Sequence, residues 1–249
     1  MKGVILAGGL GKRLEPLTRV TNKHLLPVYN KPMIFYPLQT LVEAGINEVL
    51  IVTGGNSAGD FLRLLRNGEE FGLKDLRYAY QKGERGIADA LRLAENFVDG
   101  GKFVVILGDN VTDMSIKPFV EKFSNQPEGA RILIKKVSDP YRFGVAEFKE
   151  RKIVSIKEKP KNPKSKYIVT GIYMYDRKVF EYVRSLKLSQ RGELEITDVN
   201  NMYLQENELY YDILKGQWTD CGTFTSLFHA NQIVARQFSL SEEKWNEDR

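Results

Sequence analysis

Three glycines, Gly8, Gly9 and Gly11, are followed at once by Lys12 and Arg13. Glycine lets backbone N–H groups come close to an anion, and two adjacent cations add the charge that a triphosphate needs. The residues before them, Gly3-Val4-Ile5-Leu6-Ala7, form a short apolar run rich in β-formers. The loop therefore opens at the carboxyl end of a buried first strand, the usual ligand position in α/β sheets. Two familiar phosphate loops do not fit. A dinucleotide fingerprint counted from Gly9 needs a small residue where Leu14 stands, and a P-loop needs glycine at Leu6 and a hydroxyl residue at Arg13.

Two further residues could do chemistry from strand ends. Gln81 closes an expected strand over 76–80 and enters the loop K-G-E-R-G at 82–86. Its amide can donate and accept at once, which suits a pyrimidine edge, or it is a plain surface group. Asp109 follows the most apolar strand of the chain, 102–107, so it lies on the ligand side of the sheet. Capping of a helix that begins near Met114 is the other use for it.

Composition narrows the choices. Cys221 is the only cysteine, and His24 and His229 are the only histidines. An internal disulfide, a cysteine-rich zinc site and a histidine-ligated centre are all disfavoured, so any metal should be a hard ion held by carboxylates. The net charge is +5. Much of the basic excess lies in 149–166, without interleaved aromatic residues, so no nucleic-acid partner is expected. No run of eighteen apolar residues and no basic lead with an apolar core is present, so neither a membrane partner nor secretion is expected and the cytoplasm is the default.

The elements that must position these residues alternate at first. A helix over 34–44 with Pro37 in its first turn, a buried strand over 48–53, and a helix over 57–67 with Phe61, Leu62, Leu64 and Leu65 on its apolar side follow the glycine loop. Ile87, Leu91, Ala94 and Val98 then give one more helical stripe. Strand and helix in alternation imply right-handed crossovers and a Rossmann-like, mainly parallel sheet flanked by helices. The pattern changes after Asp109: strands over 131–136, 143–148, 153–157 and 167–175 are separated mostly by turns, so an antiparallel portion replaces the parallel one. Helices over 176–186 and 195–204, a strand over 209–214 and a helix over 224–238 complete the chain.

Longer motifs resemble one family. L-A-G-G-x-G-x-R-L-x-P-L-T from Leu6, then N-K-H-L-L-P-V from Asn22 and N-K-P-M-I from Asn30, look like the signature of the sugar-1-phosphate nucleotidyltransferases, and most closely of glucose-1-phosphate thymidylyltransferases. Lys12 stands where that family usually has threonine, and Asp89 where thymidylyltransferases often have glutamine. D-P-x-x-F-G-V from Asp139, E-K-P from Glu158, T-G-I-Y from Thr170, R-G-E-L-E-I-T-D from Arg191 and W-x-D-x-G-T from Trp218 continue the match in family order.

The resemblance implies the nucleotide-diphospho-sugar transferase fold as a single domain over 1–239. Residues 1–112 would serve mainly the nucleotide, 113–222 mainly the sugar and 223–239 a C-terminal helix, with a charged tail over 240–249. It implies a Mg²⁺-dependent condensation of glucose 1-phosphate with dTTP to dTDP-glucose and pyrophosphate. Leu6, Ala7, Gly8, Gly9, Gly11, Lys12, Arg13, Gln81, Gly86 and Asp109 would meet the nucleotide. Gly144, Glu158, Lys159, Thr170, Gly171 and Arg191 would meet the sugar phosphate. Asp109 and Asp220 would hold the metal, and Arg13, Lys23, Lys159 and Arg191 would act in catalysis. A homo-oligomer, dimer or tetramer, is implied. Longer relatives carry a further helical subdomain with a regulatory site, so feedback control is not expected here. Uridylyl or guanylyl transfer to another sugar phosphate, and a non-catalytic nucleotide-sugar module, are the alternatives.

Overall fold

A computed structural model describes residues 1–247, the side chains of Asn56 and 239–247 excepted. The elements are, in chain order, β1 (Lys2–Ala7), β2 (Pro27–Val28), β3 (Lys31–Pro32), α1 (Phe35–Glu43), β4 (Glu48–Gly54), α2 (Ala58–Leu65), β5 (Asp75–Gln81), α3 (Ile87–Arg92), α4 (Glu95–Val98), β6 (Phe103–Leu107) and β7 (Asn110–Thr112). They continue with α5 (Lys117–Asn125), β8 (Ala130–Lys136), β9 (Gly144–Lys149), β10 (Lys152–Glu158), β11 (Tyr167–Tyr175), α6 (Val179–Ser185), α7 (Ile196–Gln205), β12 (Leu209–Ile213), β13 (Trp218–Asp220) and α8 (Phe224–Glu247).

Nine strands form one sheet, in the order β10-β9-β11-β6-β1-β4-β5, with β8 between β11 and β12. The first half is parallel: β1 pairs β4 and β6, and β4 pairs β5. From β11 onward the contacts with β6, β8 and β9 are antiparallel. Successive residues of a strand point to opposite faces, and helices cover both, so the central strands are apolar throughout. Val4, Leu6, Val52 and Val105 pack in one core layer, and Ile5, Ala7, Ile51 and Ile106 in the other. A third, smaller cluster joins Leu14, Val28, Met33, Val111, Cys221 and Val234 under α8.

Four expectations change. The helical stripe from Ile87 to Val98 is two helices, because three-residue hydrogen bonds from Leu93 to Ala90 and from Ala94 to Leu91 tighten the chain between them. Leu62 is exposed, since Phe61 and Leu65, four apart, already define the buried stripe of α2. The stretch after Asp109 is a short strand before it is a helix: β7 pairs antiparallel with β13, Asn110 opposite Asp220. The helix expected to stop at 238 runs on to Glu247, into the span expected as a charged tail. The side chains of that span, and residues 248–249 altogether, lie outside the described residues.

Candidate active site

β1 is flanked by β4, which follows it in the chain, and on its other side by β6, which comes later. The strand order reverses there, and the crevice at such a switch point receives ligands in open α/β sheets. Gly8 leaves β1 on one side of the crevice and Gly108-Asp109 leaves β6 on the other, with Leu6 opposite Leu107. Gln81 ends β5 beyond Gly54 of β4.

Gly11, at φ +69°, turns the loop into a short helical turn over Lys12–Leu14. Leu14 is fully buried there and anchors the turn, while Arg13 lines the cavity beyond it. The loop already holds an anion. The Leu10 N–H donates to Glu84 Oε1 at 2.8 Å, and Lys12 Nζ lies 3.7 Å from the same carboxylate.

Asp109 meets Lys23. Asn22 caps the turn Lys23–Leu25, its Oδ1 accepting from the His24 N–H. That turn sends Lys23 into the crevice, with Nζ 2.5 Å from Asp109 Oδ2, and His24 into the core. Burial is the largest single influence and works against the Asp109 carboxylate, but Lys23, by charge and hydrogen bond, together with His24 and the Asn110 hydrogen bond outweighs it, and its pKa lies well below the usual carboxylate range. Burial, then Lys23, pushes the His24 pKa down to about 3, so His24 is no general base at neutral pH. A histidine neutral in the fold and near 6.5 when unfolded contributes stability in full above pH 6.5, lost as pH falls toward 3. Between pH 7 and 5 the unaltered protein should lose about 2 kcal/mol more in urea unfolding than His24→Asn does.

Asn110 ties this corner to the rest. Its Oδ1 accepts from the Gly171 N–H at 2.9 Å and the Trp218 indole N–H at 2.8 Å, and its Nδ2 donates to Asp109 Oδ1 at 3.0 Å. Gly171 has to be glycine, because a Cβ there would lie 2.5 Å from Asn110 Nδ2. The β7–β13 ladder and the bond from the Cys221 N–H to Asp109 O at 2.8 Å then bring Asp220 to Asp109. Arg142 grips Asp220 through one nitrogen, at 2.8 Å from Oδ1 and 2.7 Å from Oδ2. Burial, followed by repulsion from Asp109, still raises the Asp220 pKa above its ordinary value despite Arg142 and Arg13. Gly222 leaves the room: a Cβ on it would sit 2.7 Å from Asp220 Oδ2 and 2.8 Å from the Arg13 guanidinium. Cys221 is buried, as a small packing residue should be.

Among the described residues no group of three or more His, Cys, Asp or Glu could hold a metal. Two carboxylates suffice for a different kind of site, since Mg²⁺ is commonly bound by one or two carboxylates plus substrate phosphates and water. The hard oxygen donors of buried Asp109 and partly buried Asp220, which repel each other, fit that ion.

One cavity runs from Asp109, Asp220, Arg13 and Arg142 to Gly144, Glu158, Lys159, Thr170, Gly171 and Arg191. A second joins it at Leu107, Asp109 and Arg191, and contains Leu6, Gly8, Gly9, Lys12, Lys23, Gln81 and Gly86. Gly11 stands at the shared mouth with Arg13 and Lys159. Ala7 is fully buried beneath the loop and lines neither cavity. Thr170 lines the first, but its hydroxyl donates to Leu133 O at 2.8 Å, away from any ligand. Glu158 Oε2 accepts from Thr197 Oγ1 at 2.5 Å, and Arg191 lies among Glu158, Glu193 and Glu195 at 2.9–3.3 Å. Lys159 is held at φ +42°, an uncommon conformation for a non-glycine residue. It turns the chain out of β10 at the mouth of the cavity.

Three residues of this site carry no weight in the sequence. Arg142 lies at the second variable position of D-P-x-x-F-G-V, Asn110 directly follows Asp109, and nothing marks Glu84 beyond its place in a glycine-bearing loop.

The profile of the family described as nucleotidyl transferase matches residues 2–237. The chain belongs to that family. Among its curated relatives, the glucose-1-phosphate thymidylyltransferase of Neisseria meningitidis is 45% identical over 238 residues, 94% of this chain and 82% of the relative. The enzyme of the same name from Actinoplanes is 44% identical, over 94% of this chain and 78% of its own. A crystal structure from Bacillus anthracis, of a protein assigned as a glucose-1-phosphate thymidylyltransferase and bound to sucrose, shares 53% identity. It covers 94% of each chain with a TM-score of 0.90. A UDP-glucose pyrophosphorylase complexed with UDP-glucose, 23% identical, has a TM-score of 0.84 over 95% of this chain and 98% of its own, a likeness of fold. The nucleotidyl transferase match takes in both halves of the sheet, parallel and antiparallel, and every site residue named above.

Proposed function

We propose that this chain is a glucose-1-phosphate thymidylyltransferase that condenses glucose 1-phosphate with dTTP to give dTDP-glucose and pyrophosphate. The observation that carries the reading is the meeting of two cavities at Asp109, one walled by the glycine loop and Gln81, the other by Glu158, Lys159 and Gly171. A triphosphate in the first and a sugar phosphate in the second would face each other across one carboxylate.

A sugar-phosphate oxygen forms a bond to the α-phosphorus, and the bond to the β-phosphate breaks with its electron pair leaving on pyrophosphate. A phosphate monoester has a second pKa of about 6, so the attacking oxygen is already charged and needs no base. The neutral, buried His24 agrees with that. The barrier is repulsion between two polyanions, and fixed positive groups lower it. The glycine-loop amides and Arg13 would bind the β- and γ-phosphates, and Lys23 the α-phosphate. Lys159 and Arg191 would orient the sugar phosphate in line, with Glu158 and the Gly144 amide on the sugar and Gly171 along its pocket. Mg²⁺ on Asp109 and Asp220 would neutralise phosphate charge when bound.

The test is pyrophosphate release over a matrix of nucleotides and sugar phosphates, with and without chelator. The fastest pair should be dTTP with glucose 1-phosphate, silenced by chelator and restored by Mg²⁺. Equal rates with UTP would remove the thymidylyl specificity, and no release from any pair would remove the reaction. Glu84 occupies the anion seat of the loop, so Glu84→Gln should lower the KM for dTTP roughly two- to fivefold with kcat unchanged.

A further inference from the structure

Gln81 and Asp89 form a pair that no phosphate chemistry requires. Gln81 ends β5 and Asp89 stands in the first turn of α3, and both residues are nearly inaccessible, at 6% and 5%. The turn between them is forced by Gly86, at φ +98°, where a Cβ would lie 2.5 Å from Leu194 O. Gln81 Nε2 is 3.1 Å from Asp89 Oδ2 and 3.2 Å from Gly86 O. Both neighbours are acceptors, and Arg92 at 3.3 Å from Asp89 Oδ1 keeps the carboxylate so. Only one orientation of the amide satisfies them, with its NH₂ group turned inward. Gln81 Oε1 then faces the nucleotide cavity beside Gly8, 2.7 Å from where a Cβ on Gly8 would be. That oxygen has no hydrogen-bond partner among the described residues.

We infer that Asp89 is a positioning residue that locks Gln81 as an acceptor and thereby selects a base with an N–H donor between two carbonyls, the imide edge of thymine or uracil. The inference rests on the nucleotide reading of this cavity. Cytosine turns a lone pair toward Oε1 instead, setting acceptor against acceptor, and a site built for a donor rejects an analogue lacking it strongly. Asparagine at 89 would offer its own donor to Oε1, and the Gln81 amide could then turn and present NH₂ to the base.

Calorimetric titration of dTTP and dCTP, with turnover of each alongside, tests this in the unaltered protein, Asp89→Asn and Asp89→Glu. The unaltered protein should bind dTTP at least about a hundredfold tighter than dCTP. Asp89→Asn should narrow that ratio tenfold or more, weakening dTTP and strengthening dCTP, with the change in KM larger than that in kcat. Asp89→Glu, which keeps an acceptor-only group, should hold most of the discrimination. A purely structural role would weaken both nucleotides alike; a ratio unchanged within twofold in Asp89→Asn overturns the inference. A ratio near one in the unaltered protein, or no binding of either nucleotide, overturns it too. Discrimination in binding without any turnover of dTTP would instead sink the proposed reaction and leave the role of Asp89 standing.

Discussion

Replacing Asp109 with asparagine should lower kcat by about a thousandfold. The carboxylate faces Lys23 at 2.5 Å and Asn110 at 3.0 Å, and its main chain accepts from Cys221. An amide of the same shape keeps the packing but loses the charge that Lys23 requires and that the proposed divalent cation would need. One of its atoms would also present a donor to Lys23 or to Asn110, so the lysine loses its counter-charge as well as its direction. Asp75→Asn, at the opposite end of the parallel strands and paired, among the described residues, only with exposed Arg77, is the control and should turn over normally. Steady-state pyrophosphate release, with circular dichroism to verify folding, measures the effect. Retention of kcat within tenfold in Asp109→Asn would remove this carboxylate from the reaction.

The second large effect belongs to Arg142, which the sequence motif leaves as an unspecified position. Arg142→Leu would leave Asp220 largely buried without its ion-pair partner and with only the Arg13 charge near it, its side chain being only 13% exposed. Breaking such a pair from one side costs about 3 kcal/mol, or roughly 6–12 °C in Tm for a domain of this size. Because Asp220 then lacks its guanidinium, millimolar Mg²⁺ should restore more of the Tm in Arg142→Leu than it adds to the unaltered protein. Thermal unfolding of both proteins, with and without the ion, decides. An unshifted Tm would mean that Arg142 does not stabilise Asp220, and a shift that Mg²⁺ leaves untouched would argue against Asp220 as a ligand of the ion.

The parallel half of the fold was legible because its signals are local. An apolar run ending in glycine, a helical stripe and a second apolar run each fit within one element, and the chain order then constrains the sheet. The antiparallel half was legible as strands, but not in its pairing. β11 meets β6, β8 and β9, a choice set by contacts between distant residues that no local pattern encodes. β7 and β13 escaped for the same reason: three residues carry little periodicity, and each is a strand only because the other exists. Positions were easier than directions. Thr170 lines the cavity, yet its hydroxyl turns to Leu133. Arg191 is at the cavity, yet it lies among three glutamates. Arg142 and Asn110 were missed because their importance comes from the groups they hold, which only the folded chain brings near.

The Asn110 amide joins segments centred on Asn110, Gly171 and Trp218, and Asp220 enters only with the last of them. A chain emerging from the ribosome would therefore expose its glycine loop and complete β1, β4, β5 and β6 long before Asp220 is added. Asp109 and Asp220 can face each other only after β13 has been made, so a product interrupted before Trp218 would carry the glycine loop and Asp109 without the carboxylate opposite them.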